Sequence, residues 1–474
     1  MITEGGDISA RSDWLRQVEQ SLAGRSYEDA LTTLTYDDVR VEPIYERAAG
    51  AIPLGRAASG WMARQVHAGS DADAVHSAIL EDLAQGAGSV ELRLAAPGLS
   101  GLPPRFDSIA QALAGVPLDR VQVSVSAGDQ YFGATQCLMS LWEQTGLSEA
   151  QRLGAINADP LGTLARTGAL EAGLWPSLEI LGQFVASNIG SWPNVRLVLA
   201  DGRPYHEAGA SEGQELAAML ATVVEYLRVL SHEGVGSTDL FPRLSVALAA
   251  DCNLFASLAK LRAARLLLAR VAEACGAPEA ASEVTLEAAT SERMLTRKAP
   301  YNNVLRATIA SIGSVLGGAD TVTILPFTWA IGATPRAARR IARNTHNLLR
   351  EESHLGRVLD PAAGSGAVES LTRALAERAW SLFQDIEEEG GMAEALKSGM
   401  VAEGIARVAE RRAKDVAEGK LQIVGVTAFA DAAEKPLSLQ SHPASAPIER
   451  AETRIAALPR IRAAERYEGG ESQA

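Results

Sequence analysis

An α/β architecture closed into a (β/α)8 (TIM) barrel is what this sequence predicts, on three observations. Eight short runs rich in β-branched residues punctuate the chain. Successive runs are separated by enough Ala/Leu-rich sequence for a helix, the alternation that builds a parallel sheet from βαβ units. The 474 residues would suggest about three domains at ~150 residues each, yet α/β barrels exceed that length as single units.

The predicted strands are, in order, Ser89–Leu94 (SVELRL), Val121–Val125 (VQVSV), Gly154–Asn157 (GAIN), Val195–Leu199 (VRLVL), Leu244–Leu248 (LSVAL), Glu283–Glu287 (EVTLE), Thr321–Leu325 (TVTIL) and Arg357–Asp360 (RVLD). After the fifth, Asp251 or Asn253 caps a helix whose inner side carries Leu254, Leu258, Leu261, Leu268 and Ala272, with Gly276 as its stop. A second helix runs from Val368 to about Glu387, presents Leu371, Leu375, Trp380 and Phe383 inward, and ends at Gly390-Gly391. Ala402–Lys420 reads as a charged, mostly solvated helix, followed by a short strand-like piece, Leu421–Val426. The predicted organisation is an N-terminal arm over residues 1–45, a barrel over 46–400, the charged helix and short strand over 401–430, and a flexible Pro/Ser/Ala-rich tail over 431–474.

Composition narrows the function. Hydrophobic residues make up 47% and charged ones 22%, enough for a large core, and with aromatics at only 5% that core must be Ala, Leu and Val. A net charge of −14 argues against nucleic acid, which needs a basic face. No apolar stretch reaches the ~18 residues of a membrane span. Cys137, Cys252 and Cys275 stand apart and form no C-x-x-C pair, which predicts small buried thiols in a reducing cytoplasm.

The chemistry-bearing motifs are sparse. None of the seven histidines has the helical spacing of a metal site. His206 stands out because Tyr205-His206-Glu207 directly follows the fourth predicted strand, at the barrel end where active sites sit. PAAGSG (Pro361–Gly366) follows the eighth predicted strand, where barrels often hold phosphate, although a plain turn needing glycine reads equally well. Serine-hydrolase elbows and P-loops are absent from the sequence.

Longer motifs carry a family resemblance. KAPYNNVLRATI (Lys298–Ile309), RRIARNTHNLLREES (Arg339–Ser353), VLDPAAGSGAVESLT (Val358–Thr372), AWSLFQDIEEEGGM (Ala379–Met392), HEAGASEGQELA (His206–Ala217) and the stretch from Gly404 to Val426 together resemble the methylmalonyl-CoA mutase family, in consistent order over roughly residues 30–430. The resemblance implies a barrel that threads acyl-CoA along its axis, capped by a cobalamin domain. The implied reaction is a radical rearrangement, the methylmalonyl-CoA/succinyl-CoA isomerisation, initiated by adenosylcobalamin.

Three departures set this chain apart. The family's cobalt-binding D-x-H-x-x-G motif is missing, because the residues two before each histidine are Gln65, Ala74, Pro204, Leu230, Asn344, Glu352 and Gln440. Catalytic members carry W-x-x-R-Q-Y-A-G; here Trp61-Met62-Ala63-Arg64-Gln65 leads to Val66 where the tyrosine belongs. The histidine that binds the thioester carbonyl in S-G-Y-H falls, aligned on Glu207-Ala208-Gly209-Ala210, at Pro204, which has no donor. The resemblance therefore implies a small, non-catalytic subunit, inactive alone, with no cofactor of its own. It would pair as a heterodimer with a catalytic large subunit that binds adenosylcobalamin and acyl-CoA, the arm embracing that partner. A second reading is the acyl-CoA-binding catalytic barrel of a split mutase that works with a separate cobalamin-binding chain; a third is a regulatory protein without a mutase partner. If an acyl-CoA binds, Tyr205, His206, Asn302, Asn344 and Glu351 are the candidate polar contacts, against the ordinary roles of Asn and Glu as caps and inter-helix bonds.

Overall fold

The structure, a computed structural model, describes residues 7–54, 60–442, 445, 448 and 450–469. Eight parallel strands close into a barrel: β1 (Met62–His67), β2 (Ser89–Arg93), β3 (Gln122–Ser126), β4 (Gly154–Ala158), β5 (Val195–Asp201), β6 (Leu244–Ala250), β7 (Thr285–Thr290) and β8 (Thr321–Thr323), with β8 pairing back onto β1 at Thr321 and Met62. The (β/α)8 expectation holds, and seven of the eight predicted strands lie in the barrel wall.

The eighth prediction is corrected. Arg357–Asp360 is a surface turn in which Val358 and Leu359 are exposed, and the missing strand is β1 at the other end of the barrel. An apolar Val-Leu pair looks like a strand but buries nothing here, whereas Met-Ala-Arg-Gln-Val-His looks polar because its inward residue Arg64 is held by an ion pair on the axis. Tyr205-His206-Glu207 accordingly follows the fifth barrel strand. PAAGSG is a turn against the N-terminal connector: Gly364 accepts from the Ala48 N–H, and a Cβ on Gly366 would collide with the Glu46 carbonyl. Glycine is required there for close approach of two backbones, which suits the turn reading of the motif.

Strand alternation sorts the side chains. Val90, Leu92, Val123, Val125, Val246, Leu248 and Leu286 are buried in one large apolar cluster with helix residues such as Leu138, Leu181, Leu216, Leu261 and Leu268. Ser89, Glu91, Ser124, Ala247, Ala249, Glu287 and Ala289, on the opposite parity, turn toward the axis. The two helices read from sequence form as Leu254–Ala274, capped by the Asn253 side chain on the Ala256 N–H, and Gly366–Glu388. The charged helix spans Met400–Ala417, while Leu421–Val426 makes a turn with one bridge, Val424 to Ala428, rather than a strand. Cys252 and Cys275 are exposed and Cys137 half-buried, so the expected burial of all three thiols is not found. No helix among the described residues is long and apolar enough to cross a membrane.

Residues 452–463, expected as part of a loose tail, are inlaid across the C-terminal end of the barrel. Thr453 and Arg454 pair antiparallel with Leu170 and Ala169. The N–H groups of Ile455, Leu458, Ile461 and Ala463 then donate to the carbonyls of Gly168 (2.7 Å), Ala165 (2.9 Å), Glu207 (2.9 Å) and Arg293 (2.9 Å). Leu458 is 6% exposed. A polar, proline-containing sequence reads as disordered, yet here its backbone is satisfied by the loops that it crosses.

Candidate functional site: the barrel axis and mouth

Deep in the barrel the axis is occupied by a buried ion pair. Arg64 of β1 and Glu287 of β7 meet in a two-pronged contact (Nη1–Oε2 2.5 Å, Nη2–Oε1 3.0 Å), and the Arg64 Nε donates to Ser89 Oγ at 3.2 Å. The two side chains are 2% and 7% exposed. Arg196 of β5 reaches Thr285 Oγ1 at 2.7 Å. The planar guanidinium fork matches a carboxylate, so this pairing fixes both groups as well as neutralising them.

Nearer the mouth, acids and arginines alternate. Glu91 accepts from Arg93 (3.1 Å) and Ser126 (3.1 Å); burial pushes its pKa up, but Arg93, Arg203 and Arg64 outweigh burial and hold it down to about 2. Asp201 is gripped by Arg203 (2.7 Å) and Arg166 (2.9 Å), which overcome its burial and keep it below the usual range. Asp159 differs. It accepts from the Tyr226 hydroxyl, from the Gly162 N–H at 2.9 Å and from the Asp201 N–H at 3.3 Å, and burial together with the Asp201 charge pushes it up to about 7. Glu207 is pushed up to about 8 by burial and by the charge of Glu292, whose N–H it accepts at 3.0 Å. Glu292 in turn pairs with Arg460 of the inlaid segment.

Beneath that segment remains a cavity of about 80 Å³, walled among others by Asn157, Asp159, Arg203, Pro204, Leu458 and Arg460. Ligand pockets run to roughly 300–1,000 Å³, and this one has room for a few waters. The Arg64–Glu287 pair stands across the axis that an acyl-CoA chain would have to follow. Leu458 and Arg460 lie over the mouth, where a corrin ring would have to sit. Among the described residues no cluster of His, Cys, Asp and Glu is arranged to hold a metal. Strongly shifted acids often mark catalytic sites, but paired structural networks shift them too. Glu91, Asp159 and Asp201 are buried, while Glu207 and Glu292 are partly exposed and also line a second pocket, of about 270 Å³, beside Arg460.

None of the five residues singled out from sequence lines this cavity. Tyr205 is fully buried beside Thr222. His206 is buried with Nδ1 at 3.1 Å from Glu215 and Nε2 at 2.8 Å from the Ser291 hydroxyl; burial, then Arg293 and Lys260, keep the imidazole neutral. Asn302 lies on the outer surface near the Val424 carbonyl, and Asn344 and Glu351 are exposed outside the barrel. The structure thus brings Tyr205 and His206 together as neighbours in the wall and leaves the other three apart. Pro204 does face the cavity, and Val66 sits in register with Glu91, so the two positions that depart from the family's tyrosine and histidine belong to the inner surface. What sequence reasoning missed is the ionic axis. Its signal was a charge at alternate positions inside strand-like runs: Arg64, Glu91 and Arg93, and Glu287.

Comparison with known proteins agrees with these motifs. The family model described as methylmalonyl-CoA mutase matches residues 42–470. The methylmalonyl-CoA mutase small subunit of Streptomyces virginiae is 39% identical over 97% of this chain and 75% of its own length. A probable methylmalonyl-CoA mutase small subunit of Mycobacterium bovis is 40% identical over 82% of this chain and 62% of its own length. The small subunit from Propionibacterium freudenreichii subsp. shermanii is 33% identical over 92% and 71%. This chain therefore spans about three fifths to three quarters of the relatives that it matches. With a closed parallel barrel, collinear motifs and a match over most of its length, the chain belongs to the methylmalonyl-CoA mutase family.

Proposed function

We propose that this chain is the non-catalytic subunit of a heteromeric, adenosylcobalamin-dependent methylmalonyl-CoA mutase. It pairs with a catalytic large chain that holds both cobalamin and acyl-CoA, and binds no cofactor of its own. The observation that carries the reading is the filled barrel: the Arg64–Glu287 pair blocks the axis and the 452–463 segment covers the mouth. Val66 and Pro204 on the inner surface support it, since neither offers the aromatic face or the donor that the substrate would need. The names of the similar small subunits support it independently. A reducing cytoplasm suits the three unpaired cysteines.

The split-mutase reading has one observation on its side: Ser89, Ser124, Ala247, Ala249 and Ala289 are the small inner side chains that a threaded acyl-CoA requires. One experiment separates the two. The chain is co-expressed with a full-length catalytic mutase chain from the same genome, the complex is isolated by size exclusion, and isomerase activity is measured. As a scaffold it co-elutes, and Asp159→Asn or Arg166→Gln in its cavity leaves activity within about twofold. Abolished activity in those variants, or a lone cobalamin-binding chain as the productive partner, would make this barrel the substrate site.

A further inference from the structure

Outside the barrel, next to its C-terminal end, a groove of about 880 Å³ runs between the helices Tyr131–Gln144 and Leu174–Asn188. Its centre is aromatic: Tyr131 and Phe132 both meet Phe184 edge to face, at ring distances of 5.5 and 6.3 Å. Phe132 remains 52% exposed and Ile180 42%, and Trp175, at the start of the second helix, is 51% exposed. Scattered apolar exposure is ordinary, but large side chains gathered in a concave surface mark an interaction site.

The charge of the groove is one-sided. Asp129 and Glu171 are its only charged lining residues, and the lining includes no Lys or Arg. Asp129 Oδ1 is shielded from solvent and no other residue donates to it. Burial raises its pKa against the lowering effect of its own backbone N–H, and the negative charge of Glu171 adds to the rise. The backbone N–H of Glu452, a third acid, donates to the Glu171 carbonyl and brings the inlaid segment to the groove's edge. A solvent-shielded carboxylate oxygen to which no other residue donates, beside a second carboxylate, leaves room for a donor from a partner.

We infer that this groove receives a segment of the catalytic partner chain that carries a large apolar side chain beside a Lys or Arg. The apolar group packs against Phe132, Ile180 and Phe184, and the cation reaches Asp129 and Glu171. Charge complementarity selects this occupant: the groove supplies apolar surface and two acids, so what it lacks is a basic, apolar segment. The inference rests on the heteromeric reading proposed above.

The test uses the full-length chain and the catalytic mutase chain from the same genome, with affinity measured by calorimetry at two salt concentrations. The variants are Phe132→Ser, a test of the apolar anchor, and Glu171→Lys, an exposed position at which the fold is not at risk. The expected result is at least a tenfold loss of affinity in each, with Glu171→Lys also flattening the salt dependence. Wild-type pairing with both variants binding as tightly as wild type overturns the groove assignment and leaves the heteromeric reading standing. Failure of the wild-type chain to pair overturns both.

Discussion

The two ends of the chain, both polar in sequence, attach to the barrel in opposite ways. At the N-terminus no residue before Trp61 enters the main apolar cluster of the described residues. Helix Asp7–Leu22 meets its own neighbours, with Arg11 pairing to Glu46 at 2.9 Å and Trp14 edge-on to Tyr27, and Leu34 and Ile52 stay exposed. The arm is held through polar side-chain contacts, among them Tyr36 on Asp415 (2.9 Å) and Asp38 on Arg411 (3.0 Å). Asp37 accepts from the Ser211 hydroxyl (2.5 Å) and the Gly213 N–H (3.0 Å) at the start of helix Glu212–His232, while Arg412 lies 4.1 Å over the Tyr36 ring. The C-terminal segment instead spreads its attachment over backbone bonds, the buried Leu458 and the Arg460–Glu292 pair. A polar segment is thus solvated or inlaid according to what it faces, and an acidic mouth gives an arginine-bearing strap something to hold.

The comparison is sharpest on the axis, where the charge lies deepest. Glu287→Gln leaves the Arg64 guanidinium buried opposite a neutral amide, and should cost about 3–5 kcal/mol in denaturant unfolding. The double change Arg64→Met with Glu287→Leu should recover most of that loss, because it removes the charge together with its partner. A cost below about 1 kcal/mol for Glu287→Gln would mean that water reaches the pair and that the axis is open. Next in size is Leu458→Ala, expected at about 2–4 kcal/mol from lost burial and the void left behind. Leu34→Ala in the arm, 65% exposed, should stay within about 0.5 kcal/mol. Equal costs at the two positions would erase the distinction between strap and arm.

Much of the barrel was legible because its outer strand faces obey ordinary patterning: SVELRL, VQVSV and TVTIL each alternate or run apolar as buried strands do. The inner face was not, since its residues answer to one another across the axis. Arg64 and Glu287 stand 223 positions apart, and neither has meaning until the barrel closes. The same long-range pairing hid β1 and disguised the C-terminal strap. Pro204 and Val66, in contrast, could be marked as unusual from the motifs alone, and both prove to belong to the inner surface. His206 was drawn in by its position after a strand, but two residues of helical turn carry it into the wall against Glu215.

The mouth itself should show as a slope against pH. Burial and the Asp201 charge raise Asp159 from 3.8 to about 7, so the stability this group contributes is complete below about pH 4 and is lost as pH climbs to about 7. Buried His67 and His346, both held near 3 by burial and neighbouring arginines, act in the opposite sense, losing stability as pH falls from 6.5 toward 3. Comparing Asp159→Asn with wild type cancels the histidines. The variant should gain on wild type steadily between pH 4 and 7 in thermal melts, and parallel curves would place Asp159 in solvent.

The smallest expected effect on stability is the one that most directly tests the arm. Deleting residues 1–31 removes the helices Asp7–Leu22 and Tyr27–Leu31 but keeps the hairpin of Thr33–Leu34 and Arg40–Val41 and the Asp37 anchor. The barrel's apolar cluster loses nothing, so the melting temperature of the isolated chain should move by no more than about 1–2 °C, a fraction of the shift that ~1 kcal/mol produces in small domains. Under the heteromeric reading the same deletion should weaken pairing with the catalytic chain by tenfold or more, because the arm's exposed surface has its use only there. A deletion that melts early yet pairs normally would reverse the assignment, making the arm a stabilising element of this barrel and leaving the partner to other surfaces.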